Sequence, residues 1–248
     1  MPDGDGPITR DTSARRHALI VGLVWAALSA ALVALALNVP FQLTAASREA
    51  RVIDNAFLTL LVVSIPVFVL VEVVVVYSAL RFRATADEDG PPIAGRPAIS
   101  VAWVATTTAM VLGLAAFGWA GMNEVLHAQH PPDLVVRVVS KQFGWTFEYP
   151  SLGVSSATLR VPKDRLVRFE MTSSDVLHSF WIPEFRVKQD VVPGRTIAVT
   201  ATATQVGSYG VVCAELCGLG HTFMRAPVEV MDQVAFDAWA TAVKAESR

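Results

Sequence analysis

The pattern of the chain changes near residue 122. Before it stand three apolar stretches. Ala18–Leu37 and Pro97–Met122 carry no charged residue, and Ala56–Leu80 carries only Glu72. A helix needs roughly 20 apolar residues to cross a hydrocarbon core of about 30 Å. The pattern therefore predicts transmembrane helices over about 18–37, 56–80 and 98–121, and three in succession make buried core helices the weaker reading. The first stretch has a second reading. Arg15-Arg16, an apolar run and then Ala34-Leu35-Ala36 are also the layout of a cleaved secretory signal, although the run exceeds the usual apolar region of roughly 7–15 residues. Either reading leaves residue 39 outside.

After Asn123 the period shortens. Residues 134–139, 145–149, 166–171 and 195–200 are β-branched or aromatic runs, with a further strand-like run at 209–212. Pro150, Gly153, Pro162, Pro193-Gly194 and Gly207 punctuate them. Short strands at this spacing predict a β-sandwich or barrel over 123–248. Val234, Phe236, Trp239 and Val243 predict a closing helix over Gln233–Lys244. The fold class is membrane α plus all-β.

Arginines in the short loops orient this layout. Residues 1–17 hold Arg10, Arg15 and Arg16, residues 81–96 hold Arg81, Arg83 and Arg96, and residues 38–55 hold Arg48 and Arg51. The bias favours 1–17 as a cytoplasmic tail and 123–248 as an extracytoplasmic domain of a bacterial plasma membrane, on the oxidising side. Composition narrows the class further. The chain is 53% hydrophobic and 17% charged, against about 25% charged in a soluble domain. A net charge of −2 gives no electrostatic case for nucleic acid. Two cysteines exclude a multi-disulfide scaffold.

The chemistry is concentrated in Cys213-Ala-Glu215-Leu-Cys217-Gly-Leu-Gly-His221-Thr-Phe-Met224. A Cys213–Cys217 disulfide would account for two of these residues and leave His221 and Met224 unused. Zinc accepts thiolate and imidazole but has little use for a thioether. Thiolate, thioether and imidazole together select copper. A mononuclear blue-copper site needs one Cys, two His and a weak axial Met, so one thiolate would be surplus. Two thiolates can instead bridge two copper ions, each of which then needs an imidazole. The second imidazole must come from His127, His130 or His178. The first two read as polar residues near the membrane interface. His178, in Asp175-Val-Leu-His178-Ser-Phe, is the better candidate.

Together, Asp175-Val-Leu-His178-Ser-Phe, Lys188-Gln-Asp190-Val-Val-Pro193-Gly194-Arg195 and Cys213-x3-Cys217-x3-His221-x2-Met224 resemble subunit II of the haem–copper cytochrome c oxidases. The resemblance covers roughly residues 56–240 and implies a helical hairpin followed by a cupredoxin-like domain. It implies that Cys213 and Cys217 bridge the two ions of a copper A centre, with His178 and His221 as terminal ligands. Met224 and the backbone carbonyl of Glu215 are the implied weak ligands. The Glu215 side chain is implied to reach a magnesium or manganese ion at the boundary with subunit I. Cytochrome c or a cupredoxin is the implied donor, subunits I and III the implied partners, and haem is confined to the partner. No Cys-x-x-Cys-His haem attachment is present in this chain.

Three departures from the family pattern stand out. Phe143 and Gly144 occupy positions usually aromatic in the segment that receives electrons, while Trp145 is retained. From Asn123 onward there are 12 Lys/Arg and 13 Asp/Glu, so no acidic donor-steering surface is evident and docking is expected to depend weakly on salt. Ser100, before Trp103, stands where many members carry a glutamate at a proton channel. Glu72 is the acid inside a predicted span, where a charge is costly and should face protein or be protonated. Two other functions remain in view. One is a copper A subunit of a nitric oxide reductase. The other is a membrane-tethered copper chaperone, for which a thioredoxin-like fold would place the cysteines at the start of a helix.

Overall fold

The computed structural model describes residues 9–40, 42–82, 96–126 and 131–246. Its first half forms helices α1 (Thr9–Asn38), α2 (Arg48–Arg81) and α3 (Pro97–Leu126). All three are long and apolar enough to cross a membrane. Each outruns its apolar stretch. For α2 the cause is a cap: Ser47 is fully buried, and its hydroxyl accepts the Ala50 N–H at 2.9 Å. This satisfies one of the unpaired donors of a helix start and sets the first turn at Arg48.

The second half folds into ten strands. They are β1 (Leu134–Lys141), β2 (Gly144–Tyr149), β3 (Val154–Ser156), β4 (Leu159–Pro162), β5 (Leu166–Ser173), β6 (His178–Ile182), β7 (Val187–Val191), β8 (Ile197–Thr202), β9 (Gly207–Cys213) and β10 (Arg225–Met231), followed by α4 (Gln233–Glu246). One sheet runs β3-β2-β1-β5-β8 and the other β4-β10-β9-β6-β7. Alternation puts Val136, Val138, Phe147, Phe169 and Met171 of the first sheet into the core. Leu159, Val161, Phe180, Val211, Val228 and Val230 of the second join them. This is the predicted β-sandwich, its two inner faces forming one core. At one side α4 packs Trp239 against the buried Tyr149, with ring centroids 5.1 Å apart. The Tyr149 hydroxyl accepts the Arg160 N–H at 2.6 Å and donates to the Arg160 carbonyl at 3.0 Å.

The chain divides into two compact units, residues 1–41 with 57–115, and residues 42–56 with 116–248. In the helical unit α1 lies against α2. The Trp25 indole N–H donates to the Pro66 carbonyl at 2.7 Å, and the His17 ring hydrogen-bonds the Tyr77 hydroxyl. The second unit recruits residues 42–56 to the sandwich. The Thr204 N–H donates to the Ala46 carbonyl at 2.8 Å, and Ser47 bridges Ala203 beside the β8 edge. The Glu49 carboxylate accepts the Thr202 N–H at 3.0 Å. Asp54 receives a two-pronged Arg186 guanidinium at 2.8 and 3.0 Å.

Candidate metal centre

Strand register brings the soft ligands together. β6 pairs with β9 so that Phe180 faces Cys213, which leaves His178 diagonal to Cys213. The Ala214 N–H donates to the Ser179 carbonyl at 2.9 Å and holds the two strand ends. The chain then loops through Cys217 and a 3-10 turn at His221–Phe223, and Met224 delivers it to β10. A bond from the Cys213 N–H to the Met224 carbonyl, 3.0 Å, closes that loop.

Six sequence-predicted groups meet here. His178 Nδ1 lies 3.8 Å from Cys213 Sγ, Cys213 Sγ lies 3.8 Å from Cys217 Sγ, and Cys217 Sγ lies 3.7 Å from His221 Nδ1. Met224 Sδ is 3.7 Å from Cys217 Sγ, and the Glu215 carbonyl is 3.2 Å from Cys213 Sγ. The ligand atoms of His178, Cys213 and Cys217 fall within 4.8 Å of one another. Both thiols are free. Their separation is nearly twice the length of about 2.0 Å of a disulfide bond. His127 and His130 lie outside the described residues. Glu72 belongs to α2 and Ser100 to the first turn of α3.

The donor set fits soft metal ions. His178 and Met224 are fully buried, Cys213 and Cys217 nearly so. Burial foremost, with the Cys213 hydrogen bond and charge added, pushes the Cys217 thiol up to about 11. A cation between the sulfurs would reverse that, because thiolate is the ligating form. Each thiol has an imidazole neighbour, and the ligand atoms of His178 and the two cysteines are gathered within 4.8 Å of one another.

The imidazole of His178 is oriented from behind. Its Nε2 lies 2.8 Å from Asp175 Oδ1, which leaves Nδ1 facing the thiols. Burial pushes the Asp175 carboxyl upward. The Gln142 N–H, the His178 side chain, the Val176 N–H and the His178 charge together outweigh it and hold the group down at about 2. Asp175 is thus an ionised acceptor for the ligand's outer N–H, the usual support of a metal-bound histidine. Gln142 ties two loops together. Its N–H donates to Asp175 Oδ2 at 2.7 Å, and its side-chain amide donates to the Cys217 carbonyl. Asp175 opens the motif that ends in His178 and Phe180 but had no role of its own in the sequence reading, and Gln142, one residue before Phe143, had none either.

Trp145 is buried beside His178 and Phe180, with ring centroids 6.2 and 5.7 Å away. Phe143 is exposed and its ring rests on the Gly218–Gly220 backbone. A Cβ on Gly220 would stand 2.6 Å from two ring carbons, so only glycine admits this contact. Cys213 ends strand β9 and Cys217 precedes a 3-10 turn, unlike the helix start that a thioredoxin-like chaperone requires.

The profile of the family "Cytochrome C oxidase subunit II, periplasmic domain" matches residues 152–231. Cytochrome c oxidase subunit 2 of Synechocystis sp. is 32% identical over 246 residues, covering 80% of this chain and 74% of that protein. The protein of the same name from Thermostichus vulcanus is 31% identical over 248 residues, covering 78% and 76%. Among solved structures, the periplasmic domain of subunit II of cytochrome oxidase (CoxB) of Bradyrhizobium japonicum is similar, at 28% identity and a TM-score of 0.45, over 48% of this chain and 99% of that one. Identity of this extent over both chains establishes the relationship: the chain belongs to the cytochrome c oxidase subunit II family, and is one component of a haem–copper oxidoreductase complex.

Proposed function

We propose that this chain is the electron-accepting subunit of a bacterial aa3- or ba3-type terminal oxidase, with a binuclear copper A centre. The observation that carries the reading is the cluster of two free thiols 3.8 Å apart, each with its own imidazole neighbour at 3.8 and 3.7 Å. Such a set gives each of two ions one terminal nitrogen and shares both sulfurs. When bound, two copper ions supply a one-electron carrier whose charge is spread over both metals.

The residues of the chain do the rest. Cys213 and Cys217 would hold both ions and His178 and His221 one each, with Met224 and the Glu215 carbonyl as weaker donors. Asp175 fixes the His178 ring, and burial in the sandwich excludes water from both sulfurs. Phe143 and Trp145 stand on the donor side. The subunit receives electrons singly from cytochrome c or a cupredoxin and passes them to haem in subunit I. There O2 is reduced to water, coupled to proton pumping. Glu215 offers its side chain to a magnesium or manganese ion at the subunit I boundary, and subunit III completes the assembly. The three long helices cross the plasma membrane, and the β-domain lies on its outer side.

Copper content and electron spin resonance of the full chain in detergent test this reading. Two coppers per chain sharing one unpaired electron equally are expected. One copper with a localised spin, or none with an oxidised Cys213–Cys217 pair, would overturn the bridging roles.

A further inference from the structure

Residues 215–223, which carry Cys217 and His221, form the connection between β9 and β10 of the second sheet. Among the described residues, every hydrogen bond of this loop but one stays within residues 213–225. The exception comes from the first sheet. Lys141 pairs with Gly144 across β1 and β2, so Gln142 and Phe143 form the two-residue tip of a hairpin. From that tip the Gln142 side-chain amide donates to the Cys217 carbonyl.

The loop is shaped to receive this amide. Gly218 has a φ of +132°, and a Cβ there would stand 2.8 Å from Gln142 Nε2, so the glycine leaves the room that the amide fills. The second arm of Gln142 is its backbone N–H, which donates to Asp175 Oδ2 at 2.7 Å. Asp175 Oδ1 in turn holds His178 Nε2 at 2.8 Å. One residue therefore connects the backbone of a thiol ligand to the carboxylate that orients an imidazole ligand. Ligands supported from behind in this way keep their spacing, and losing such a support typically costs roughly 10–100-fold in metal affinity or activity.

We infer that Gln142 is a positioning residue of the metal centre: it holds the Cys217 sulfur in place against the His178 ring, and so governs how firmly copper is retained and how evenly its spin is shared. Gln142 offers no ligand atom of its own. The inference rests on the two-copper reading above and adds a residue to that site.

The experiment uses the full chain, loaded with copper in detergent. It follows the rate of copper release to a chelator and the hyperfine pattern in electron spin resonance. Gln142→Glu keeps the size of the side chain but turns its donor into an acceptor, and Gln142→Ala removes the amide. Both leave the backbone N–H on Asp175. Each variant is expected to bind two coppers, to release them about tenfold faster and to lose the equal sharing of the spin. The thermal midpoint of the copper-free chain is expected to move by less than about 2 °C, which separates positioning from a general loosening of the fold. Asp175→Asn can accept from only one of Gln142 and His178, so its effect on release and that of Gln142→Ala should sum to more than the double variant shows. Unchanged release and hyperfine pattern in both Gln142 variants overturn the inference. So does faster release with the copper-free midpoint lowered in step, which would make Gln142 a packing residue, and so does strict additivity with Asp175→Asn. Failure of the underlying role would look different: the unaltered chain would not hold two coppers with one shared spin.

Discussion

At the residue scale the Gly220–Phe143 contact is the tightest test of the centre's outer wall. A Cβ at position 220 would meet the ring at 2.6 Å, well inside van der Waals contact, so either the ring or the loop must move. Overpacking of this kind costs about 1–3 kcal/mol. Gly220→Ala is therefore expected to lower the thermal midpoint of the copper-loaded chain by several degrees. Combined with Phe143→Ala, the two losses should sum to more than the double variant shows, because the clash is gone. Strict additivity in calorimetry would mean that the glycine is needed for another reason. The candidate ligands are legible in the sequence, since thiolate, thioether and imidazole at those spacings admit few metals. Their supports are not. An aspartate before a strand and a glutamine before a turn are ordinary loop residues until the register of β6 and β9 sets them behind His178 and Cys217. Of the two aromatics proposed for the donor side, Phe143 meets solvent and Trp145 is buried against His178 and Phe180.

At the element scale the strands legible in the sequence were those with unbroken β-branched runs, such as β1 and β5. β10 was missed because Pro227 interrupts it, although its burial still alternates and Pro227 sits opposite Gly210 on β9. The start of α2 was also misplaced. Apolar counting sees the membrane-length run from Ala56, whereas the helix is set by the Ser47 cap and by contacts that residues 46–54 make with the sandwich. Asp54 and Arg186 test that segment. Each is only 16% exposed and their contact is two-pronged, so removing the carboxylate leaves a half-buried guanidinium without its partner. Asp54→Ala is expected to cost about 2 kcal/mol, less a gain of about 0.5 kcal/mol from the helix preference of alanine. Arg186→Lys, which cannot make both bonds, should cost a similar amount, and the double variant little more than either. A cost below about 0.5 kcal/mol in denaturant titration would show that the pair is an ordinary surface ion pair.

At the scale of the whole molecule, the same segment fixes which loops share a side of the membrane. Residues 43, 45–47, 49 and 54 hydrogen-bond residues 184–186 and 202–205 of the sandwich. The loop before α2 and the domain after α3 therefore occupy one compartment. If α2 leaves that compartment at Arg48, a span of 34 residues, about 50 Å at 1.5 Å per residue, carries the chain through the bilayer. α3 then brings it back. The arginines at 81, 83 and 96 give the sequence-based expectation that residues 81–96 face the cytoplasm. The two readings of residues 18–37, retained helix or cleaved signal, agree on this, since both deliver residue 39 outside. Alkaline phosphatase, active only outside the cytoplasm, is thus expected to be active when fused after residue 45 or after residue 131, and inactive when fused near residue 88. Activity at 88, or silence at 45, would break the return path. Such a result would force residues 42–56 and the copper-binding domain into different compartments, which their shared hydrogen bonds forbid.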